Sequence, residues 1–333
     1  MGVIGVGAIG QDHVRRLTHV LAGARVAAVT DVDRDRASAV AGDVGATVAA
    51  TGKELIADDR VDAVVVTSWG ATHAEYVLAA IAAGKPVFCE KPLATTEAAC
   101  SSILDAEVAA GRRLVQVGFM RRYDAGYRSL RSTVAGGSLG APLLMHAAHR
   151  NLSMPAHFTG DMLVTDSAVH EFDLVRWLFS DEIAAVTALT PRRNRHAPPD
   201  FPDPLVLLLE MSGGVLVDVE VLANASFGYD IRGEIVCEEG TAALSEQPGV
   251  VVKRSGSYAG PVPTDWRQRF ASAFDAEFRA WLDAVAAGTE PTGPSAWDGY
   301  AASVCIDAGL AALHTRTRVP VTLRPRPKLY DLT

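Results

Sequence analysis

Cysteine is scarce in this 333-residue chain. Cys89, Cys100, Cys237 and Cys305 stand far apart and form no CxxC pair. Neither a disulfide framework nor a zinc site is indicated, so no metal is expected. Long apolar runs are missing as well. Stretches such as Val61 to Val66 and Val77 to Ala83 fall short of the roughly 20 residues that a membrane-spanning helix needs. No charged leader precedes an apolar run at the N-terminus, and with scattered, reduced cysteines the expectation is a cytoplasmic protein. Positive charge is not in surplus: 31 Lys and Arg against 39 Asp and Glu give a net charge of -8. That argues against nucleic acid as the main partner, because phosphates would meet no basic face. Pairs such as Arg15-Arg16 and Arg192-Arg193 read as solvated surface. Internal repeats and low-complexity tracts are absent too. What remains is a chain that is 49% hydrophobic, enough for two packed domains.

The N-terminal part alternates in period. A short apolar run, Val3 to Val6, ends in Gly5-Val6-Gly7-Ala8-Ile9-Gly10. A helical pattern from His13 to Leu21 follows, and Arg25 to Thr30 returns to a strand pattern. This is a βαβ unit with a glycine loop at its first turn. Gly5 permits the tight turn, Gly7 lets the backbone approach a pyrophosphate, and Gly10 lets helix and strand pack closely. Ala8 and Ile9 open the helix, whose free N–H groups suit the anion. About 20 to 25 residues after the loop, Asp31 closes the second strand, where a carboxylate accepts from ribose hydroxyls and favours NAD. Arg34 and Arg36 keep NADP open, and Asp31 with Asp33 could instead start a turn. Val61 to Thr67, Pro86 to Cys89 and Leu114 to Val117 read as further strands, and Thr72 to Ala83 and Thr95 to Ala110 as helices. Ligands bind beyond the carboxyl ends of such strands, where the glycine loop, Ser68-Trp69 and Glu90-Lys91-Pro92 fall. A dinucleotide loop joined by a lysine after another strand points to hydride transfer at a carbon bearing a hydroxyl.

From Arg121 onward longer β-rich runs take over: Pro142 to His149, Val186 to Thr190, Leu205 to Met211, Gly214 to Leu222 and Arg232 to Cys237. The expected fold class is therefore α/β, an N-terminal Rossmann doubly wound parallel sheet over residues 1–119. An α+β domain with a large, mostly antiparallel open sheet follows over residues 120–333. In Asp166-Ser167-Ala168-Val169-His170-Glu171-Phe172-Asp173, the residues Asp166, His170 and Asp173 fall on one helical face. A carboxylate beside an imidazole suits hydride removal, which needs a group to take up the hydroxyl proton. The same spacing is also common as a plain helix-surface contact.

With these residues in hand, the sequence resembles the glucose-fructose oxidoreductase, inositol dehydrogenase and MocA family along essentially its whole length, and inositol 2-dehydrogenases within it. The family's marks are the glycine loop, Thr72-His73 with Glu75-Tyr76, and Glu90-Lys91-Pro92. The resemblance places His73, Glu90 and Lys91 at the cofactor and gives Lys91 the reacting hydroxyl. Asp166 and His170 match the family's DxxxH motif. It further implies substrate contacts from Met120, Arg121, His149, Asn151, Asp173 and Tyr229. The implied activity is NAD-dependent oxidation of a ring hydroxyl of a cyclitol, myo-inositol to its 2-keto form. In it His170 takes the proton, Asp166 orients His170 and Lys91 stabilises the alkoxide. A pyranose sugar or another inositol isomer would present a similar ring of hydroxyls, and a non-catalytic NAD-sensing regulator is the rival from another class. The implied assembly is a homo-oligomer, a tetramer by resemblance, whose partner molecule is a small polyol or sugar. Two features depart from the family: His157-Phe158-Thr159-Gly160-Asp161 lacks the serine- and glycine-rich approach of many relatives, and Trp69 stands where they carry a proline or small residue.

Overall fold

The structure, a computed structural model, describes residues 1–245 and 252–331. Its backbone contacts divide into two compact units. The first comprises Met1–Phe119, Phe274–Ser303 and Leu323–Thr333, and the second Met120–Ala273 and Val304–Thr322.

Six strands build the first unit's sheet: β1 (Gly2–Ile4), β2 (Ala28–Thr30), β3 (Thr47–Val48), β4 (Val64–Val66), β5 (Val87–Glu90) and β6 (Val115–Gly118). Their order is β3-β2-β1-β4-β5-β6 and every pairing is parallel. Strands sandwiched by helices on both faces read as continuous apolar runs, and Val64, Val65 and Val66 are all buried. The helices are α1 (Ala8–Arg15), α2 (Arg34–Val44), α3 (Gly52–Ala57), α4 (His73–Ala82) and α5 (Glu97–Ala110). Side-chain caps set three starts: Asp33 accepts from the Arg36 N–H, Thr51 from Glu54 and Thr96 from Ala99.

The pattern expected a helix over His13 to Leu21. Here α1 begins five residues earlier and widens into a π-helical turn over Arg16–Val20. Residues 31–60, unassigned by periodicity, hold α2, edge strand β3 and α3. The buried positions of α2 are only Ala37 and Ala41, too small to mark an apolar stripe.

In the second unit α6 (Ala125–Ala135), β7 (Pro142–Arg150), α7 (Val169–Phe179), β8 (Ile183–Leu189), β9 (Leu205–Met211), β10 (Leu216–Leu222), β11 (Asp230–Cys237) and β12 (Thr241–Ala243) follow in order. A short hairpin of β13 (Val252–Arg254) and β14 (Ser257–Ala259) comes next. Helices α8 (Trp266–Ala287) and α9 (Ala296–Thr315) precede β15 (Val319–Pro320), and the unit boundaries fall within both helices. The large sheet runs β12-β11-β7-β10-β9-β8-β15 and is antiparallel except where β10 pairs β7. It is the mixed, mostly antiparallel sheet anticipated from the β-rich runs.

Alternation along these strands separates two faces. Leu205, Leu207, Leu209, Val217, Val219 and Val221 are buried on one. That side is packed by helices, and a Cβ on Gly309 of α9 would stand 2.9 Å from Val164 and 3.3 Å from the Phe172 ring. The opposite face carries ion pairs, Arg150 with Glu220 at 2.6 Å and with Asp230 at 2.9 Å, around a cavity of about 250 Å³.

Candidate active site

In the first unit the glycine loop joins β1 to α1. Gly5 has φ +89°, and a Cβ there would lie 2.5 Å from the Ser68 backbone. A Cβ on Gly10 would lie 2.1 Å from the Gly5 carbonyl oxygen, whereas one on Gly7 would meet no atom of the described residues within 4 Å. Two of the three glycines are thus demanded by the protein's own backbone, and Gly7 opens onto free space. Helix α1 starts at Ala8-Ile9 with no side chain capping it, which leaves its first N–H groups available to an anion. The Asp31 carboxylate accepts from the Val6 N–H at 2.7 Å, the Asp33 N–H at 2.9 Å and the Arg36 guanidinium at 2.7 Å. Against a burial cost, Arg36 and these backbone donors hold its pKa below the usual carboxylate range. The residues therefore fit a dinucleotide whose pyrophosphate meets the loop and whose ribose meets Asp31.

Two further loops lie beyond the carboxyl ends of β4 and β5. After β4, the Ser68 hydroxyl bonds that of Thr72 at 2.7 Å, and Trp69 is 81% exposed. His73 at the start of α4 is buried, with Nδ1 2.7 Å from the Pro92 carbonyl oxygen and Nε2 2.9 Å from that of Ser68. Its ring lies between the two loops; burial pushes its pKa below the ordinary imidazole value, and the neutral ring's single N–H donates to one of the two carbonyls. After β5, Glu90 is buried at the strand end. Its Oε1 lies 2.9 Å from His13 Nε2 and its Oε2 accepts the Lys91 N–H at 3.1 Å. The Lys91 side chain is half-buried. His13 carries no site role in the sequence reading; its place on the inner face of α1 is its only sequence signal.

The second unit gathers a polar cluster under β7. Arg121 and Glu171, both 1% exposed, form an ion pair, and Arg121 Nη2 and Glu171 Oε2 lie 3.1 and 3.2 Å from His149 Nδ1. The His149 ring centroid stands 6.2 Å from that of His170 and 6.0 Å from that of Tyr229. Burial opposes the Glu171 charge, yet Arg121 and His149 hold its carboxyl down at about 2. Burial drives the Tyr229 hydroxyl up to about 12, so it stays a donor. Four sequence-selected residues, Arg121, His149, His170 and Tyr229, thus come together. Glu171, which links two of them, was not selected.

Other positions differ in detail from the one-face picture. Asp166 lies in a π-helical stretch, Leu163–Ala168, and His170 in the α-helix that follows. The wider π turn breaks the regular 3.6-residue register and is common at functional sites. Thr165 donates its hydroxyl to Asp166 at 2.7 Å. Asp173 is buried and gripped by Arg122 through two bonds, of 2.9 and 2.5 Å. Nearly the whole of α7 is buried, not one side of it. Met120 is buried in a short 3-10 turn, Met120–Tyr123. Asn151 extends β7 through its N–H to the Leu222 carbonyl oxygen at 2.8 Å, and its buried Nδ2 has no hydrogen-bond partner among the described residues. Among those residues no group of acidic, histidine or cysteine side chains could hold a metal, and no helix is long and apolar enough to cross a membrane.

Residues 1–119 match the family described as an oxidoreductase family with an NAD-binding Rossmann fold, and residues 127–243 match the GFO/IDH/MocA C-terminal domain. The chain belongs to the GFO/IDH/MocA family. Among GFO/IDH/MocA proteins it is 52% identical over 330 residues to inositol 2-dehydrogenase 3 of Saccharopolyspora erythraea, covering 99% of this chain and 97% of that one. It is 48% identical to inositol 2-dehydrogenase of Burkholderia cenocepacia, covering 99% and 98%. Of solved structures, myo-inositol dehydrogenase from Lactobacillus casei in complex with NAD(H) and myo-inositol superposes with a TM-score of 0.97 at 36% identity, covering 99% and 98%.

Proposed function

We propose that this GFO/IDH/MocA member is an NAD-dependent dehydrogenase that oxidises a ring secondary hydroxyl of a cyclitol, myo-inositol to its 2-keto form. What carries the reading is the near-complete match to the Lactobacillus casei structure, whose complex holds NAD(H) and myo-inositol. The open Gly7 and the Asp31 carboxylate support it. When bound, NAD supplies the acceptor for the hydrogen and electron pair that leave the ring carbon.

The chain's own groups handle the remaining charge and proton. His170 accepts the hydroxyl proton as the carbon–oxygen double bond forms, Asp166 orients His170, and the Lys91 ammonium stabilises the developing alkoxide. Gly5, Gly7, Ala8, Ile9 and Gly10 hold the pyrophosphate, Asp31 the adenosine ribose, and Ser68, Trp69, His73 and Glu90 border the nicotinamide side. A ring bearing six hydroxyls needs many fixed donors and acceptors. Asn151, whose buried Nδ2 has no hydrogen-bond partner among the described residues, and Tyr229, a donor throughout the neutral range, suit that need. Met120, Arg121, His149 and Asp173 complete the substrate set in this reading. The reading keeps the cytoplasmic homo-oligomer, a tetramer, that the family resemblance implies; light scattering on the purified protein checks the tetramer.

The test is formation of reduced nicotinamide with NAD⁺ or NADP⁺ and, in turn, myo-inositol, scyllo-inositol, D-chiro-inositol and glucose. Turnover of myo-inositol with NAD⁺ is expected. Turnover of glucose alone moves the substrate to sugars, and silence on all four favours a regulator.

A further inference from the structure

We propose that His13 and Arg16 are positioning residues for Lys91, acting through Glu90; the proposal rests on the catalytic reading of Lys91 above. A guanidinium can only donate. Arg16 Nη1 stands 2.8 Å from His13 Nδ1, so Nδ1 must accept. The single proton of the neutral imidazole then sits on Nε2, which donates to Glu90 Oε1 at 2.9 Å. The other oxygen, Oε2, accepts the backbone N–H of Lys91. Arg16 is fixed in turn by Asp275 at 2.6 Å, by the Asp12 carboxylate at 2.9 Å and by the Asp12 carbonyl oxygen at 3.4 Å. One chain of hydrogen bonds runs from Asp275 on α8 through Arg16, His13 and Glu90 to the Lys91 peptide, all within the first unit.

The chain is rigid. His13 is fully buried and Arg16 is 1% exposed. The imidazole lies among Phe88, Phe274 and Phe278, with centroid distances of 5.9, 5.6 and 4.5 Å. Gly118 leaves the room that the Glu90 carboxylate takes up, since a Cβ there would stand 3.1 Å from it. On the far side of Lys91, His73 meets the Pro92 carbonyl oxygen. The Lys91 peptide is thus fixed at its N–H by Glu90, and the residue after it lies against His73. Helix α1 carries the glycine loop at one end and His13 one turn later, so the element that opens onto Gly7 also sets the lysine loop. Placing a charged group within a fraction of an ångström is worth large rate factors. His13 has no path to substrate of its own and acts only by orienting.

Three variants test this in two assays. In the free protein, hydrogen–deuterium exchange of the Lys91 amide is followed by mass spectrometry on the peptide that spans it. In single turnovers with NAD⁺ and myo-inositol deuterated at the reacting carbon, the hydride step and its isotope effect are read directly. His13→Ala is expected to speed exchange of the Lys91 amide at least about tenfold and to slow hydride transfer by about 10- to 100-fold. The isotope effect on kcat should rise, and the NAD⁺ Kd should stay within about twofold. His13→Gln keeps a donor toward Glu90 and an acceptor toward Arg16, and should recover most of both losses. Glu90→Gln keeps the shape but sets an amide between two N–H donors, and should behave like His13→Ala even if that variant fails to fold. Wild-type exchange and wild-type hydride rate in His13→Ala or Glu90→Gln would overturn the proposal. Faster exchange with an unchanged hydride rate would also overturn it, and so would a His13→Gln protein as slow as His13→Ala. No turnover by the wild-type protein would instead remove the catalytic reading of Lys91, and the proposal with it. The exchange assay, which needs no turnover, keeps the two failures distinct.

Discussion

Replacing Glu171 with glutamine removes the charge that both Arg121 and His149 face in the second unit. In the folded protein the Glu171 carboxyl sits at about 2, against an ordinary value of 4.5, because Arg121 and His149 outweigh its burial. Holding a carboxyl that far down corresponds to about 3 kcal/mol of stability. The independent expectation for breaking a buried ion pair, about 3 to 5 kcal/mol, is of the same size. For a carboxyl whose folded value is depressed, this stability is fully present above the unfolded value of 4.5 and is lost as pH falls through about 2. Glu171→Gln should therefore be about 3 kcal/mol less stable than the wild type at pH 7, and that gap should shrink to about half near pH 3. Urea unfolding followed by tryptophan fluorescence at both pH values measures it. A gap under about 1 kcal/mol at pH 7, or one that does not change with pH, would refute the reasoning. In turnover assays the same variant should raise KM for the cyclitol, since His149 loses an anchor.

The glycine loop gives a paired prediction. Gly7→Ala should leave Tm within about 2 °C of wild type but weaken NAD⁺ binding at least about tenfold, whereas Gly10→Ala, driven against the Gly5 carbonyl, should lower Tm clearly; thermal scans and NAD⁺ titration read both. Asp31→Ala removes the charge that repels a 2′-phosphate and releases Arg36 from its 2.7 Å pairing. The NADP⁺ to NAD⁺ ratio of kcat/KM should rise about tenfold or more, and an unchanged ratio would take Asp31 out of cofactor choice. Lys91→Ala and His170→Ala should each cut kcat by at least about 100-fold while the NAD⁺ Kd moves less than about threefold. Near-normal turnover in either would remove it from the chemistry.

Much of the first unit was legible because its signals are local. The glycine spacing, the all-valine strand at Val64–Val66 and the Glu90-Lys91-Pro92 turn announce themselves within a few residues. So did the strands of the second unit, where alternation picked out Leu205–Met211 to the residue. Helix α2 escaped because its packing face is alanine, and α9 because it is apolar nearly all round, with no stripe to find. The grouping of Phe274–Ser303 and Leu323–Thr333 with the N-terminal unit rests on long-range contacts such as Arg16 to Asp275 and Tyr330 to Glu107, which no local pattern carries. For the site, spacing and family marks selected His149, His170, Arg121 and Tyr229, and the structure draws these together. What they missed were buried charges: Glu171, His13 and Arg16 look like surface residues in a sequence, since charge is normally solvated. Each is inside because a partner distant in the chain neutralises or satisfies it, and the π turn at Leu163–Ala168 is likewise invisible to a 3.6-residue period.

The central claim is that a hydrogen leaves a ring carbon of the cyclitol as hydride. Incubating the protein with NAD⁺ and myo-inositol deuterated at C2, then examining the isolated cofactor by NMR and mass spectrometry, tests it most directly. The account predicts reduced nicotinamide carrying one deuterium at C4 for each molecule of ketone formed. Reduced cofactor without deuterium, or no reduction with myo-inositol at any pH, would contradict it.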